Sequence, residues 1–364
     1  MTIPLVSEEI LKKTGKILFI AHLAIGDFTY LQNCFLAFSK AYPHIKMHLW
    51  VDEVRRTDDA SKWPQLKSYS LYDWVRSCGL FEKVYTETYS PALLQQSVRL
   101  ARRERYPLVV SLATLRPRQY ARLARDISGH GLVVGLEPKR WWNVLNLRLQ
   151  SPLDGSIAPF AFSSDRSEHI SDVYADWFQR LFGMHIRFEE RFPFVAIPAI
   201  WKEAAQAALT AWGVDRNKEQ IVFINSFAKT PKRCWPLENV AALIAAMRAS
   251  RWSDSFFIVN AMPQDVAQVN AVIAAHDLSR VVVFSAQENF YQLPAMLEQS
   301  HLIISVETAV MHLANAVHVP VVALMRQKNP EWAPVDKANS RVITAARRRD
   351  WVSAITVQQV MESV

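Results

Sequence analysis

One pattern constrains this chain more than any other. Short continuous apolar runs recur between longer stretches whose apolar residues fall at helical spacing. In the first half the runs are "GKILFIA", "IKMHLWVD", "YPLVVSLA" and "GLVVGLE". In the second they are "QIVFINSF", "SFFIVNA", "RVVVFSA", "HLIISVE" and "VPVVALM". Helical stretches such as "DFTYLQNCFLAFSKAYP", "RPRQYARLARDI", "PLENVAALIAAMRAS" and "QDVAQVNAVIAAH" separate them. A strand that is apolar on both sides must be covered on both sides, so runs alternating with helices imply α/β architecture with parallel sheets. The pattern breaks near "RFPFVAIPAIWKEAAQ", where Pro193 and Pro198 mark a linker. Two Rossmann-like domains are therefore expected, residues 1–195 and 196–364, with the last helix able to return to the first domain. At 364 residues the chain is long enough for two cores.

Composition narrows the function classes. No apolar run reaches the ~18 residues of a membrane-spanning helix, and "MTIPLVSEEILKKTGKILFI" lacks the order of an export signal. A cytoplasmic location is expected. Cys34, Cys78 and Cys234 are odd in number and widely spaced, which argues against a disulfide framework or structural zinc. A formal net charge of +8 and a pI near 9.4 favour acidic partners: nucleotides, nucleic acid or an anionic membrane surface. The basic residues gather in "RLARRERY", "RPRQYARLAR", "KRWWNVLNLRL" and "AARRRDW". No RNA-binding signature accompanies them, so nucleic acid is set aside. With 9 glycines and neither GxGxxG nor GxxxxGK[ST] after a strand, dinucleotide oxidoreductases and P-loop phosphotransferases are disfavoured.

Ligands of open α/β sheets sit beyond the carboxyl ends of the strands, so residues just after each run carry the candidates, in a cleft between the two domains. After the first run, Gly26 permits a turn and Asp27 stands where the helix begins; it suits an N-cap or a general base. In "NSFAKTPKRCWPLENV", Ser226, Thr230 and backbone amides can bind phosphate oxygens. Lys229, Lys232 and Arg233 can neutralise a diphosphate, with Trp235 anchoring the loop. In "HLIISVETAVMHLANAV", Thr308 opens a helix whose amino end is a ready anion site. His312 lies one turn on, and Glu307, last on the strand, can accept from ribose or sugar hydroxyls. No second His or Cys stands at ligand spacing, so no metal is expected.

These segments together, "IGD", "KRCWP" and "ETAVMHLANAVHVPVVAL…EWAP", resemble glycosyltransferase family 9, the lipopolysaccharide core heptosyltransferases. "HISDVYADWFQRLFG" is similar to the family helix that ends in Leu-Gly before the linker. The resemblance implies a GT-B fold, two facing Rossmann-like domains with the acceptor on the first and the nucleotide sugar on the second. It implies inverting, metal-independent transfer of a heptose from ADP-heptose, with no cofactor, to a phosphorylated glycolipid or glycan acceptor. By the same resemblance Asp27 is the catalytic base. Either Lys232 or Arg233 matches the family lysine that contacts the donor diphosphate: Cys234 leaves the register open, and Arg233 has the usual spacing from Trp235. Glu307, Thr308, Ala309 and His312 fall on the donor motif, where Glu307 replaces Asp and Ala309 replaces Gly. His312 and the loop cations are expected to stabilise the departing diphosphate. Arg116, Arg118, Lys139 and Arg140 are expected to meet acceptor phosphates or anionic headgroups, with the protein peripheral to the inner face of the cytoplasmic membrane. Alternatives are another nucleotide sugar, a GT-B-type epimerase that needs no acceptor, and a scaffold that binds nucleotide without catalysis.

Overall fold

The computed structural model describes residues 3–51, 55–68, 70–137, 152–164 and 167–364. The chain divides into two units. The first comprises Met1–Ser163 with Ser171–Arg191, the second Ser164–Ile170 with Phe192–Val364.

The strands of the first unit are β1 (Lys16–Ala21), β2 (Lys46–Val51), β3 (Lys83–Tyr85), β4 (Leu108–Ser111), β5 (Leu132–Leu136) and β6 (Gly155–Ile157). Its helices are α1 (Glu8–Lys13), α2 (Ile25–Ala41), α3 (Trp63–Lys67), α4 (Ser70–Ser77), α5 (Pro91–Arg103), α6 (Pro117–Ser128) and α7 (Ile170–Phe182). All strands pair in parallel, in the order β3-β2-β1-β4-β5-β6. Side chains alternate along β1, so its two faces build two cores. Leu18 and Ile20 join Val109 and Val133 beneath Ala101 of α5 and Tyr120, Ala124 and Ile127 of α6. Phe19 points the other way, into Phe35 and Phe38 of α2 and Phe178 and Phe182 of α7, with ring centroids 5.0 to 6.2 Å apart.

The second unit repeats the plan. Its strands are β7 (Ile221–Asn225), β8 (Phe256–Asn260), β9 (Val281–Phe284), β10 (Leu302–Val306), β11 (Val321–Met325) and β12 (Ser340–Thr344). Its helices are α8 (Ala199–Ala211), α9 (Leu237–Arg248), α10 (Val266–Ala275), α11 (Gln292–Glu298), α12 (Ala309–Ala316) and α13 (Val357–Met361). The sheet is again parallel, in the order β12-β11-β10-β7-β8-β9. Read from its own first strand, this order is the mirror listing of the first sheet. In both, the first strand lies beside the fourth, and the chain winds outward in opposite directions from that pair. The expected α/β class with two Rossmann-like units is thus observed.

Two features lie at the margins. Strands β3, β6 and β12 escape the apolar-run reading because they are sheet edges, short or partly exposed, as edge strands that resist pairing with other chains tend to be. The closing helix α13 packs on α9. Its fully buried Val360 shares a cluster with Leu243, Ile244 and Met247.

Candidate functional site

In the first unit the candidate base stands after β1, beside β4. The first residues past β1 stay extended and Ala24, in a β conformation, is the N-cap of α2. Asp27 is therefore the third helical residue and not the N-cap, one of the two roles its position suited. Its Oδ2 accepts the Ala24 N–H at 3.0 Å, closing the first turn, and its Oδ1 accepts the Tyr174 hydroxyl at 2.9 Å. As a residue Asp27 is partly exposed. Burial pushes its pKa up, opposed by the Ala24 and Tyr174 donors and by His22 nearby. A carboxylate whose proton affinity is raised while each oxygen is fixed by a donor suits general-base work. Tyr174 is buried on α7, 147 positions from Asp27, and sequence reasoning missed it. The only sequence signal was the helix "HISDVYADWFQRLFG" that contains it.

Arg116 and Arg118 emerge after β4, the neighbour of β1, and both are exposed. Arg116 caps α6 in a left-handed conformation (φ 52°, ψ 45°), unusual for a residue with a Cβ, just before Pro117. The expected acceptor contacts Lys139 and Arg140 lie outside the described residues.

In the second unit the candidates converge where β7 lies beside β10. Asn225 ends β7, opposite Ser305 of β10 and Asn260 of β8. The Asn260 amide donates to Asn225 Oδ1 at 2.8 Å, which fixes the orientation of the Asn225 side chain. Asn225 Nδ2 then donates to Ser305 Oγ at 3.1 Å and to Thr308 Oγ1 at 3.0 Å. Thr308, N-cap of α12, also accepts the Val310 N–H at 3.3 Å. With two donors on its oxygen, the Thr308 hydroxyl turns its proton outward as a donor, to Ser305 Oγ at 3.4 Å or to an incoming anion. It stands beside the first-turn N–H groups of α12, at the positive end of the helix dipole. Thr308 and Ala309 are both partly exposed. An anion would meet donors there and no competing acceptor from the threonine.

Glu307 departs from expectation. Only 4% exposed, its carboxylate is held in a two-pronged contact by Arg326, with Nε to Oε2 and Nη2 to Oε1 both at 3.0 Å. Arg233 Nε lies 3.6 Å from Oε1. Rather than standing open to ribose or sugar hydroxyls, Glu307 holds two guanidinium groups, and the trio keeps one net positive charge. Arg326 follows β11 and was not singled out in the sequence. Its own pKa is raised by the Glu307 hydrogen bonds.

His312 corrects a second expectation. It is 3% exposed, its ring lies 5.8 Å from that of Trp332, and burial with His169 nearby pushes its pKa down to about 3. It is neutral at physiological pH and cannot offset leaving-group charge as a cation.

The loop after β7 is fixed from within. The Ala228 N–H donates to Cys234 Sγ at 3.3 Å, and that thiol lies 3.4 Å from the Ala228 carbonyl. Trp235 is buried, donates its ring N–H to the Ile355 carbonyl at 2.8 Å and its backbone N–H to the Ser226 carbonyl at 2.9 Å. The anchoring role expected of Trp235 is observed, and Cys234 ties the loop back to Ala228. Arg233 turns toward Glu307, whereas Lys232 Nζ lies 6.0 Å from the Trp351 ring. Lys229, Thr230 and Lys232 are exposed, and Ser226 is buried with its hydroxyl unpartnered among the described residues.

Comparison with known proteins fits this arrangement. Residues 193–353, nearly all of the second unit up to α13, match the sequence profile of glycosyltransferase family 9 (heptosyltransferase). Over 129 residues the chain is 28% identical to lipopolysaccharide heptosyltransferase 3 of Escherichia coli, a match covering 35% of this chain and 36% of that protein. The chain thus spans about a third of the length of that curated relative. Among solved structures, a glycosyl transferase family 9 protein of Veillonella parvula superposes with a TM-score of 0.75 at 16% identity, over 100% of this chain and 97% of that one. The ADP-heptose LPS heptosyltransferase II of E. coli gives 0.66 at 16% identity, over 95% and 96%. The E. coli heptosyltransferase WaaC with ADP gives 0.63 at 16% identity, over 96% of each. At these identities the structural likeness speaks for the fold.

Proposed function

We propose that this chain, whose residues 193–353 carry the glycosyltransferase family 9 sequence, is an inverting glycosyltransferase. Its donor is a nucleotide sugar, ADP-heptose in the first instance, and its acceptor a phosphorylated glycolipid or glycan of the lipopolysaccharide core kind. The heptosyltransferase relative and the ADP named with one structural neighbour support the choice of donor. The observation that carries the reading is the Thr308 hydroxyl, its oxygen already taken by the Asn225 and Val310 donors, at the amino end of α12, with Arg233 and Arg326 gathered on Glu307.

In this reading Asp27 takes the proton of an acceptor hydroxyl. The oxygen bonds to the anomeric carbon from the face opposite the leaving group, and configuration inverts. As the sugar C–O bond breaks, its electron pair leaves with the nucleoside diphosphate. That charge is met by the Thr308 hydroxyl, the α12 amides, Lys232 and the net positive arginine–glutamate trio. Fixed cations and dipoles then supply what a metal supplies elsewhere, so the reaction needs no cofactor. Arg116 and Arg118 receive acceptor phosphates. Because the acceptor is lipid-linked, the protein works peripherally on an anionic membrane surface. No described helix is long and apolar enough to cross a membrane.

A thermal-shift panel of nucleotides and nucleotide sugars tests the donor, since a ligand of the folded state raises Tm by mass action. ADP and ADP-heptose are expected to give the largest shifts. No shift with any nucleoside diphosphate would remove the reading. Asp27→Asn should abolish transfer and leave ADP affinity within a few-fold. The base must be ionised, so the wild-type rate should fall as pH drops through its raised pKa. Loss of ADP binding in that variant would make Asp27 structural, and consumption of donor without acceptor would make the enzyme an epimerase or hydrolase.

A further inference from the structure

Between Pro91 and Arg125 the sequence has eight arginines, no lysine and one acidic residue, Glu104. That single acid is engaged by Lys16 and Lys83, each at 2.9 Å. Helices α5 and α6 pack together on the same face of the first sheet, their small and apolar residues in one cluster. Their opposite sides therefore share one solvent-facing surface. Arg99 and Arg103 of α5, Arg122 of α6 and Arg105 just beyond α5 are all exposed, and none of these side chains makes a hydrogen bond or ion pair among the described residues. Leu100, 40% exposed, stands among them.

Where the two helices end, a hollow of about 800 Å³ opens at the amino edge of the sheet, away from Asp27. Its walls include Arg102 and Arg125, both spent on backbone carbonyls and on Asp126 and Asp154. The Arg102 bond to the Asp126 carbonyl meets the negative end of α6. Arg105 and His130 line the same hollow, and the buried Ser128 hydroxyl in its wall has no partner among the described residues.

We propose that the outer face of α5 and α6 is a docking surface for an anionic phospholipid bilayer. The arginines meet headgroup phosphates, the hollow seats one of them, and Leu100 enters the interface. Charge complementarity argues for an anionic occupant, since four unengaged guanidinium groups are grouped with no free carboxylate between them. An exposed leucine among them favours a bilayer over a soluble polyanion, because long cationic side chains hold their heads at phosphate level while their stems and an apolar neighbour sink below it. This deepens the membrane reading given above and places it on residues outside the reaction.

The full chain is tested by flotation with phosphatidylcholine vesicles and with vesicles containing phosphatidylglycerol. Binding is expected only to the anionic vesicles, falling steeply with salt and unaffected by millimolar inorganic phosphate. Arg99→Ser, Arg103→Ser and Arg122→Ser together should lower it ~10-fold or more. A control variant, Arg251→Ser, Lys337→Ser and Arg341→Ser, removes equal charge from the second unit and should change it little. ADP-induced thermal shifts should be unaltered in both, which separates failed docking from a failed nucleotide reading. Equal losses in the two variants, equal binding to both vesicle types, or displacement by phosphate or single-stranded RNA would overturn the proposal.

Discussion

Thr308 and His312 sit one helical turn apart and have opposite characters. The threonine is told what to donate by residues far away in sequence, Asn225 and beyond it Asn260. Replacing Asn225 with Asp removes the N–H that occupies Thr308 and places negative charge where the diphosphate is proposed to bind. ADP affinity should drop by ~10- to 100-fold, the scale of one charge-assisted hydrogen bond, with adenosine affinity little changed. Isothermal titration with both ligands checks this, and parallel losses would assign Asn225 to folding alone. The histidine is neutral because burial holds its pKa near 3, against an ordinary 6.5. An unfolded chain binds that proton more readily, so stability is lost as pH falls from about 6.5 toward 3, on the order of a few kcal/mol. The urea midpoint of His312→Gln should therefore decline less between pH 7 and pH 4 than that of the wild type. Equal declines would mean that His312 is protonated without penalty.

Individual elements show what the sequence could and could not reveal. Asp27 and Thr308 were legible because both follow an apolar run directly, where an α/β sheet offers its ligand edge. Tyr174, Arg326, Asn225 and Asn260 were not, since their roles exist only in pairs: Tyr174 lies 147 positions from Asp27, and Asn225 83 from Thr308. Nor could Glu307 be read correctly, because a carboxylate at a strand end looks free until its arginines are placed. The loop after β7 behaves as one element whose pin is Trp235. Trp235→Phe keeps most of the packing but strands the buried Ile355 carbonyl, at a cost of ~1–3 kcal/mol. A denaturant midpoint that falls accordingly, with a weaker ADP shift, is expected; unchanged ADP binding would show that the loop cations do not depend on the pin.

For the whole molecule, each unit has its own sheet and its own core, aromatic around Phe19 in the first and largely aliphatic in the second. Calorimetry should resolve ADP as raising the transition of the second unit, by RT ln(1 + [L]/Kd) for a ligand of that unit. Selective stabilisation can be read from protease-resistant fragments mapped by mass spectrometry. Equal protection of both units would argue against a nucleotide seat confined to the second.

The strand order of the second sheet has one more consequence. β7 and β10 become neighbours only after two strands and three helices have been laid down between them. The seat made by Asn225, Ser305 and Thr308 therefore cannot exist on a growing chain until synthesis has passed β10, and long-range pairings of this kind form slowly. Competence to hold a nucleotide arrives late, so a half-made chain has no means of sequestering donor, and capture of ADP during refolding would time the closing of the sheet's centre.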